Sequence, residues 1–418
     1  MAGLPALRKS HAVESAAMVP EIRRAYNAEF TPERYAGLLR DLEAGGGCPA
    51  DFRISETPIF LSEALTRELV TASSEILEAV STPAYLQEAV RAVPPHLFVP
   101  GDEGHWVFLQ IDFALAQGED GQVTPRLIEL QGFPSLYGFQ WLLEKGFRAN
   151  FPAIPADWAP YFGGLTSETY PDALRDVIVA DCDPENVVLL EIEPEQQKTR
   201  IDFHVTDRML GIRTVCATKV IERGGRLFYT EGGREVPIRR IYNRVIFDEV
   251  ERKGLDLSHI FGRGGRELDV TWVGHPNWYL KISKFSLPFI HSRYCPPTSF
   301  VSDLKELPAD LENYVLKPLY SFAGLGVEIG PSAERLRSIQ AGSNPQDFIL
   351  QRKVDYAPVI ETLDDPAKAE IRMMFVWKDR PRLINNLVRL SKGKMMGVDF
   401  NKQRTWVGAS TAYHPPVG

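Results

Sequence analysis

The segment best suited to chemistry is a lysine at the end of an apolar strand, followed by a loop of small residues. It spans Tyr314–Ile329 (YVLKPLYSFAGLGVEI) and places Lys317 directly before Pro318. A lysine ammonium acts as a point charge toward phosphate oxygens. Small loop residues let backbone N–H groups approach a phosphate closely. The segment predicts a phosphate site, although a structural hairpin with a surface lysine explains it equally well. The loop residues concerned are Ser321, Ala323, Gly324 and Gly326.

A second segment, Phe348–Val354 (FILQRKV), is an apolar strand that becomes polar abruptly. Such a strand end can offer backbone donors and acceptors to the edge of an adenine base. An edge strand with a solvated end accounts for the pattern about as well. The candidate residues are Gln351, Arg352, Lys353 and Val354.

Carboxylate and amide side chains occur on two strands predicted at Trp106–Leu115 and Thr124–Leu130. Asp112 lies on the first, and the period of two places Glu129 and Gln131 on one face of the second. Mg²⁺ prefers oxygen ligands, usually one or two carboxylates together with substrate phosphates. Solvated strand carboxylates are the simpler alternative. The apolar neighbours of Glu129 argue against it, because a carboxylate without a binding partner is costly among apolar residues.

Three arginines interrupt otherwise apolar strands: Arg244 in RIYNRVIF, Arg372 in AEIRMMFVW and Arg389 in NNLVRLS. An arginine in such a strand is costly unless it is paired or faces a polar cleft. The guanidinium fork suits a carboxylate or phosphate ligand. A structural ion pair with an acidic side chain is an equally good explanation for each.

Composition excludes several functional classes. The 418 residues carry a net charge of −8, which argues against a general nucleic-acid surface. No apolar run reaches the roughly 18 residues needed to cross a bilayer, and the N-terminus lacks a signal-peptide pattern. The four dispersed cysteines predict reduced thiols and a cytoplasmic location. The motifs GxSxG and HExxH are absent, so neither a serine hydrolase nor a zinc protease is expected.

Periodicity divides the chain into four predicted parts. Residues 1–105 read as mainly helical, and 106–170 hold the acidic hairpin and a helix from Leu136 to about Phe151. Residues 171–270 read as a β-α-β unit, and 271–418 as the remaining strands and glycine-rich turns. The length also favours two or three domains over one core.

The β-α-β unit has the clearest pattern. Val187–Ile192 (VVLLEI) predicts a buried strand, Glu195–Leu210 a helix, and Thr214–Ala217 the returning strand. Gly211 is predicted to end the helix. A hairpin about Gly232–Gly233 follows and leads into a predicted strand, IRRIYNRVIF.

Together these segments resemble the ATP-grasp superfamily. Its usual order places the lysine elements first, then the hinge, an E-x-R strand and the acidic strand. Here the acidic hairpin precedes the lysine elements, as in the circularly permuted branch that includes eukaryotic glutathione synthetase and glutathionylspermidine synthetase. The string IDFALAQGEDGQVTPRLIELQGFPSL resembles the branch's "FD…DG…KLLEYNADTP" stretch, and RIYNRVIFDE its "YxR" strand. The resemblance covers about 106–140 and 185–410.

The resemblance implies an α/β (α+β) fold. This would be a circularly permuted ATP-grasp core with a helical N-terminal region and a Rossmann-like, pre-ATP-grasp substrate domain. It implies ATP as a cofactor, with Lys284 and Lys317 on its phosphates and Ser321 and Gly324–Gly326 in the covering loop. The hinge Gln351–Val354 would hold the adenine.

The resemblance also implies Mg²⁺, bound by Asp112, Glu129 and Gln131. Arg372 would face the phosphate or acyl group, and Arg244 a substrate carboxylate. The expected enzyme is an ADP-forming ligase that joins a small-molecule or peptide carboxylate to an amine or thiol through an acyl phosphate.

Two departures from the family pattern favour an alternative. Gln131 stands where the family has asparagine, and Gln110 where the spermidine-linked enzymes carry arginine. A non-catalytic ATP-binding scaffold on the same fold is therefore the second hypothesis, and a plain protein-interaction module the third. No nucleic-acid or membrane partner is expected, and the sequence does not indicate the oligomeric state.

Overall fold

The N-terminal region contains helices with polar caps. The computed structural model describes residues 16–102, 104–118, 121–262, 267–320, 326–393, 396, 401 and 403–417. Thr31 and Ser62 accept hydrogen bonds from the first turns of the helices that follow them, as N-caps do. Gly47, at φ 73°, ends the first of these two helices. The described part of this region, with four α-helices between Pro20 and Ala89, agrees with the mainly helical character predicted for it.

Helices and strands are mixed along the chain. The helices are α1 (Pro20–Glu29), α2 (Pro32–Gly46), α3 (Glu63–Ala79), α4 (Pro83–Ala89), α5 (Tyr137–Asn150), α6 (Tyr170–Ile178), α7 (Arg200–Leu210), α8 (Phe247–Arg252), α9 (Asn277–Lys281) and α10 (Ala333–Gln340). The strands are β1 (Ile59–Phe60), β2 (Phe108–Gln117), β3 (Val123–Gln131), β4 (Val187–Glu191), β5 (Arg213–Cys216), β6 (Ile221–Arg223), β7 (Arg226–Glu231), β8 (Arg234–Ile238), β9 (Arg240–Asn243), β10 (Thr271–Val273), β11 (Thr298–Phe300), β12 (Tyr314–Pro318), β13 (Glu328–Ile329), β14 (Phe348–Arg352), β15 (Lys368–Trp377), β16 (Pro381–Ser391), β17 (Gly408–Ser410) and β18 (Ala412–Tyr413). None of the helices within the described residues is both long and apolar enough to span a lipid bilayer.

A five-stranded antiparallel sheet, the core sheet, contains the acidic hairpin. Its order is β17-β16-β15-β2-β3, and β2 pairs with β3 as predicted, with Asp112 opposite Glu129. Leu109 and Ile111 of β2 pack with the apolar side of α3 on one face. Because side chains alternate along a strand, Gln110 and Asp112 lie on the other face. Polar groups from several strands therefore meet on that second face.

A four-stranded parallel sheet, in the order β10-β9-β4-β5, forms the β-α-β unit. The helix α7 joins β4 to β5, and Gly211 ends it at φ 73°, as predicted. The helix begins at Arg200 rather than Glu195, because Pro194–Gln196 forms a separate 3-10 turn. The predicted strand IRRIYNRVIF is only partly extended, since β9 stops at Asn243 and α8 starts four residues later.

The lysine and hinge segments form a third sheet, here termed the lid sheet, in the order β11-β14-β12-β13. One of its faces packs on α10 through Leu316 and Leu350. Its opposite face contributes Ile349 to the same apolar cluster as the core sheet. Lys317 alternates with Leu316 along β12, so its side chain points away from α10 and toward the core sheet.

Candidate active site

Lys317 reaches across from the lid sheet to the acidic hairpin. Its Nζ donates to the carbonyl of Ile128 at 3.1 Å and to Oε1 of Gln351 at 2.6 Å. Burial lowers the pKa of Lys317 to about 8, although the nearby Glu129 carboxylate opposes that shift. Among the described residues, its hydrogen bonds go to a neutral amide and a neutral carbonyl, so the ammonium keeps capacity for an anion.

Lys284 lies in the same cleft. It is the first residue of a 3-10 turn that a reciprocal Ser283–Ser286 capping box begins. Burial lowers its pKa, and the carboxylates of Glu129 and Asp248 oppose that shift. The charge of Lys284 in turn helps to lower the pKa of Lys317. The structure thus brings both predicted lysines together around Glu129.

Glu129 and Gln131 project from the same face of β3, as predicted. Nε2 of Gln131 donates to Oε1 of Glu129 at 2.6 Å, and both side chains are half-buried. The two groups leave a carboxylate oxygen and an amide oxygen beside the lysines. Within the described residues, no three histidine, cysteine or acidic side chains gather as a metal cluster.

Asp112 is bound by two arginines. Its Oδ1 accepts from Nε of Arg372 at 2.6 Å, and its Oδ2 accepts from Nη2 of Arg372 at 2.6 Å and Nη2 of Arg389 at 2.7 Å. Burial works against the charge, but the two guanidinium groups outweigh it and lower the pKa of Asp112. Arg372 also donates to Oε1 of Gln110 at 2.9 Å. Gln110, which departs from the family pattern, is therefore a structural partner of Arg372.

Glu370 belongs to this network but was not among the predicted site residues. It accepts from Arg389 and, at 2.5 Å, from the hydroxyl of Tyr356. Burial raises the pKa of Glu370, and Arg389 opposes that shift. The sequence held one signal for it, since Glu370 precedes Arg372 by two residues and so shares its face of β15.

The predicted hinge splits between the two faces of the lid sheet. Gln351 points into the cleft, where its Nε2 is buried and has no hydrogen-bond partner within the described residues. Arg352 points outward and pairs with Asp310. Lys353 and Val354 lie at the strand exit, where the N–H of Lys353 donates to the carbonyl of Asn313.

The glycine-rich loop is described only in part, since Ser321, Ala323 and Gly324 lie outside the described residues. Gly326 adopts φ +73°, and a Cβ there would approach Cγ of Pro318 to 3.1 Å. A glycine is therefore required where the loop returns to β13.

Arg244 lies at the carboxyl end of the parallel sheet. Its Nη1 donates to the carbonyl of Pro134, and its guanidinium stands 4.7 Å from the ring centre of Phe133. Its Nε is buried without a partner among the described residues. Close by, burial raises the pKa of Glu191 to about 8 despite the charge of Arg244. The loop after β3 thus links Arg244 to the strand that carries Glu129.

A cavity of about 1040 Å³ opens beside the lysines. Phe285, which follows Lys284, and Leu319, two residues after Lys317, both line it. So does Asp248, the carboxylate that acts on Lys284. Lys284 and Lys317 themselves are not among its lining residues, so the cavity lies next to the lysines in sequence without being shown to open onto them.

Comparison with known proteins supplies a fold relationship. No protein-family model and no curated protein matches the chain. A matching solved structure is that of a glutathione synthetase like-effector (GSS30) from Globodera pallida in apoform. The match covers 94% of this chain and 99% of that chain, with a TM-score of 0.51 and 12% sequence identity. The chain therefore has a mixed α/β fold similar to that of a glutathione synthetase-like protein.

Proposed function

We propose that the protein is an ATP-dependent, ADP-forming ligase of the circularly permuted ATP-grasp type, which joins a carboxylate to an amine or thiol. The observation that carries this proposal is the meeting of Lys317, Lys284 and Glu129 in one cleft. These residues come from the lid sheet, a 3-10 turn and the core sheet. Two buried lysines with lowered pKa values are costly to the fold and favour an anionic ligand.

The residues present fit a nucleotide triphosphate. Lys317 and Lys284 would offset charge on the phosphate oxygens. The orphan Nε2 of Gln351 is a buried donor that needs an acceptor, which a phosphate or adenine atom would supply. Of the predicted hinge residues, Gln351 fits this role best, because Arg352 faces away from the cleft.

Two of the three residues predicted to bind Mg²⁺ are suited to that role. Glu129 and the amide oxygen of Gln131 would hold the ion, and triphosphate oxygens and water would complete its shell. The ion would neutralise charge that develops on the transferred phosphoryl group. Asp112 is left out of this set because Arg372 and Arg389 occupy its oxygens.

Arg244 is proposed to bind the substrate carboxylate, because its Nε is a buried donor that has no partner among the described residues. The substrates would be small-molecule or peptide carboxylates and amines, consistent with an acyl-phosphate route in which the chain provides positioning and electrostatics. A cytoplasmic location fits such substrates and remains an expectation.

A second candidate is a protein that binds the nucleotide without ligase activity. Gln131 supports it, because its amide donates to the Glu129 carboxylate, the same group that would hold the ion. The name of the structural neighbour, a glutathione synthetase like-effector, is compatible with either candidate.

The deciding experiment is an ADP-release screen with ATP, Mg²⁺ and pooled amino acids, polyamines and small peptides. The ligase proposal expects release that depends on one carboxylate and one amine or thiol, and that Lys317→Ala and Glu129→Gln abolish. The exposed Lys305→Ala is the matched control and should retain full activity. Thermal stabilisation by MgATP without ADP release from any pool would favour the second candidate, and no response to ATP would refute both.

A further inference from the structure

A cavity of about 830 Å³, here termed the hairpin cavity, lies at the turn between β15 and β16. Its walls come from α3, α6, the pair Phe162 and Gly163, the turn itself and Val417. Val376, which lines it, follows Arg372 by four residues on β15, about 13 Å along an extended strand. None of the described residues proposed to bind nucleotide or metal lines it. Cavities of about 300–1,000 Å³ hold small organic ligands, so the size suits such a molecule.

The inner wall of the hairpin cavity is apolar. Phe162 belongs to the apolar cluster of the core sheet, and Val70 and Val417 pack against that cluster. Val177 and Val376 belong to a second cluster, which includes residues of α6. Phe162 is buried, but Val70 and Val417 are only half-buried. A ligand with an apolar body would therefore remove apolar surface from water on binding here.

The rim of the hairpin cavity is basic. Four lining side chains are basic and two are acidic: Arg67, Lys378, Arg380 and Arg382, with Asp176 and Asp379. Lys378 pairs with Asp176 at 2.5 Å, and Arg67 pairs with Glu63 at 2.7 Å. The side chains of Arg380 and Arg382 form no ion pair or hydrogen bond within the described residues. Asp379 offsets only one of these two charges, so the rim keeps a positive charge and unused N–H donors.

The two unpaired arginines stand on a constrained backbone. Arg380 and Arg382 flank Pro381, whose ring fixes its own φ and restricts the residue before it. Pro381 pairs with Trp377 across the hairpin, and Arg382 pairs with Val376. Less backbone freedom is then lost when a ligand binds. The planar guanidinium fork suits a carboxylate, sulfonate or phosphate group.

We propose that the hairpin cavity binds a small amphipathic anion, a free aryl or acyl acid. Its apolar body would cover the inner wall, and its acidic group would be held by Arg380 and Arg382. An uncharged molecule of the same shape would cover the wall but leave both guanidinium groups without an anion. This inference goes beyond the proposed ligase and does not depend on it, because the hairpin cavity shares no described residue with the lysine cleft.

The test uses two fluorescent dyes with the same rings, anilinonaphthalene sulfonate and the uncharged phenyl naphthylamine, titrated into the full chain. Arg382→Gln and Arg380→Gln should each weaken the sulfonate dye about 10-fold, the loss of one charge-assisted hydrogen bond. The uncharged dye should change by less than about 2-fold. Arg337→Gln, an exposed arginine on α10, is the matched control and should alter neither affinity. Thermal unfolding shows that each variant is folded.

Three further outcomes decide the proposal. Octanoate, a free acid, should displace the sulfonate dye, and displacement by phosphatidylglycerol vesicles but not by octanoate would contradict a free acid as the ligand. Displacement of the dye by MgATP would place it in the lysine cleft and overturn the assignment, while leaving the proposed function intact. Absence of sulfonate-dye binding to the wild type, or equal losses of both dyes in folded variants, would also overturn it.

Discussion

Two groups of charged side chains meet at the cleft, and they differ in how many of their charges form ion pairs with side chains of opposite charge. On the core sheet, Asp112, Arg372 and Arg389 form a closed network in which each charge has an opposite partner. Opposite this network, Lys317 and Lys284 have lowered pKa values, and Nε2 of Gln351 has no hydrogen-bond partner among the described residues. A buried charge is tolerated when it is paired or when function needs it. Under the proposed function, the core sheet is the rigid support and the lysines are the groups that bind the anionic ligand.

The largest effect on stability is expected for the ion network of the core sheet. Asp112→Asn removes the charge that two buried arginines share, so we expect the free energy of unfolding to fall by about 3–5 kcal/mol. Chemical denaturation followed by tryptophan fluorescence measures it. The exposed Asp157→Asn should be nearly neutral. If both substitutions have the same small effect, the network is not the support described above.

Lys317, on the lid sheet, should respond in the opposite direction. Lys317 has a folded pKa of about 8 against an ordinary 10.5, so folding disfavours its protonated form. The charge therefore destabilises the fold below pH 8, and that penalty disappears as the pH rises from about 8 to 10.5. Lys317→Met should be more stable than wild type at pH 7, by about 3 kcal/mol at most, with the difference shrinking toward pH 10.5. Paired pH scans of unfolding check this, and a difference that grows with pH would contradict it.

A smaller effect concerns the loop that returns to the lid sheet. Gly326→Ala places a Cβ at a left-handed φ and 3.1 Å from Pro318, which should cost about 1–2 kcal/mol. Gly254 is also left-handed but has open space around it, so Gly254→Ala measures the cost of the backbone conformation without a steric contact. If Gly254→Ala costs as much, backbone conformation alone accounts for the loss, and the contact with Pro318 adds nothing.

The smallest effect is expected outside the cleft. Arg352 pairs with Asp310, but about 44% and 41% of their side chains are exposed, and such pairs contribute less than about 1 kcal/mol. Arg352→Ala should therefore change nucleotide affinity by less than about 3-fold, a change of well under 1 kcal/mol. A larger loss in calorimetric titration would show that this hinge residue reaches the nucleotide after all.

Local patterns in the sequence predicted much of the fold. The alternation in the acidic hairpin predicted the pairing of β2 with β3. The apolar run VVLLEI and the helix-ending Gly211 predicted the β-α-β unit. The predicted strand IRRIYNRVIF was too long, because its apolar residues continue into α8 and periodicity alone does not mark the change.

The placement of a site residue was predictable where it follows from the sequence of a single strand. Glu129 and Gln131 share a face by alternation, and Lys317 ends an apolar strand. The network of Asp112, Arg389 and Glu370 was not predictable in the same way, because it joins β2 to the β15–β16 hairpin, which comes much later in the sequence. Only sheet order and register place these charges within bonding distance.

Hydrogen exchange measured with and without MgATP tests the central claim most directly. We predict that nucleotide slows exchange in β3 and in the lid-sheet strands β12 and β14, which carry Glu129, Lys317 and Gln351. Lys317→Ala should abolish that protection. Unchanged exchange in all three strands, or protection confined to another part of the chain, would contradict the claim that these residues enclose one nucleotide site.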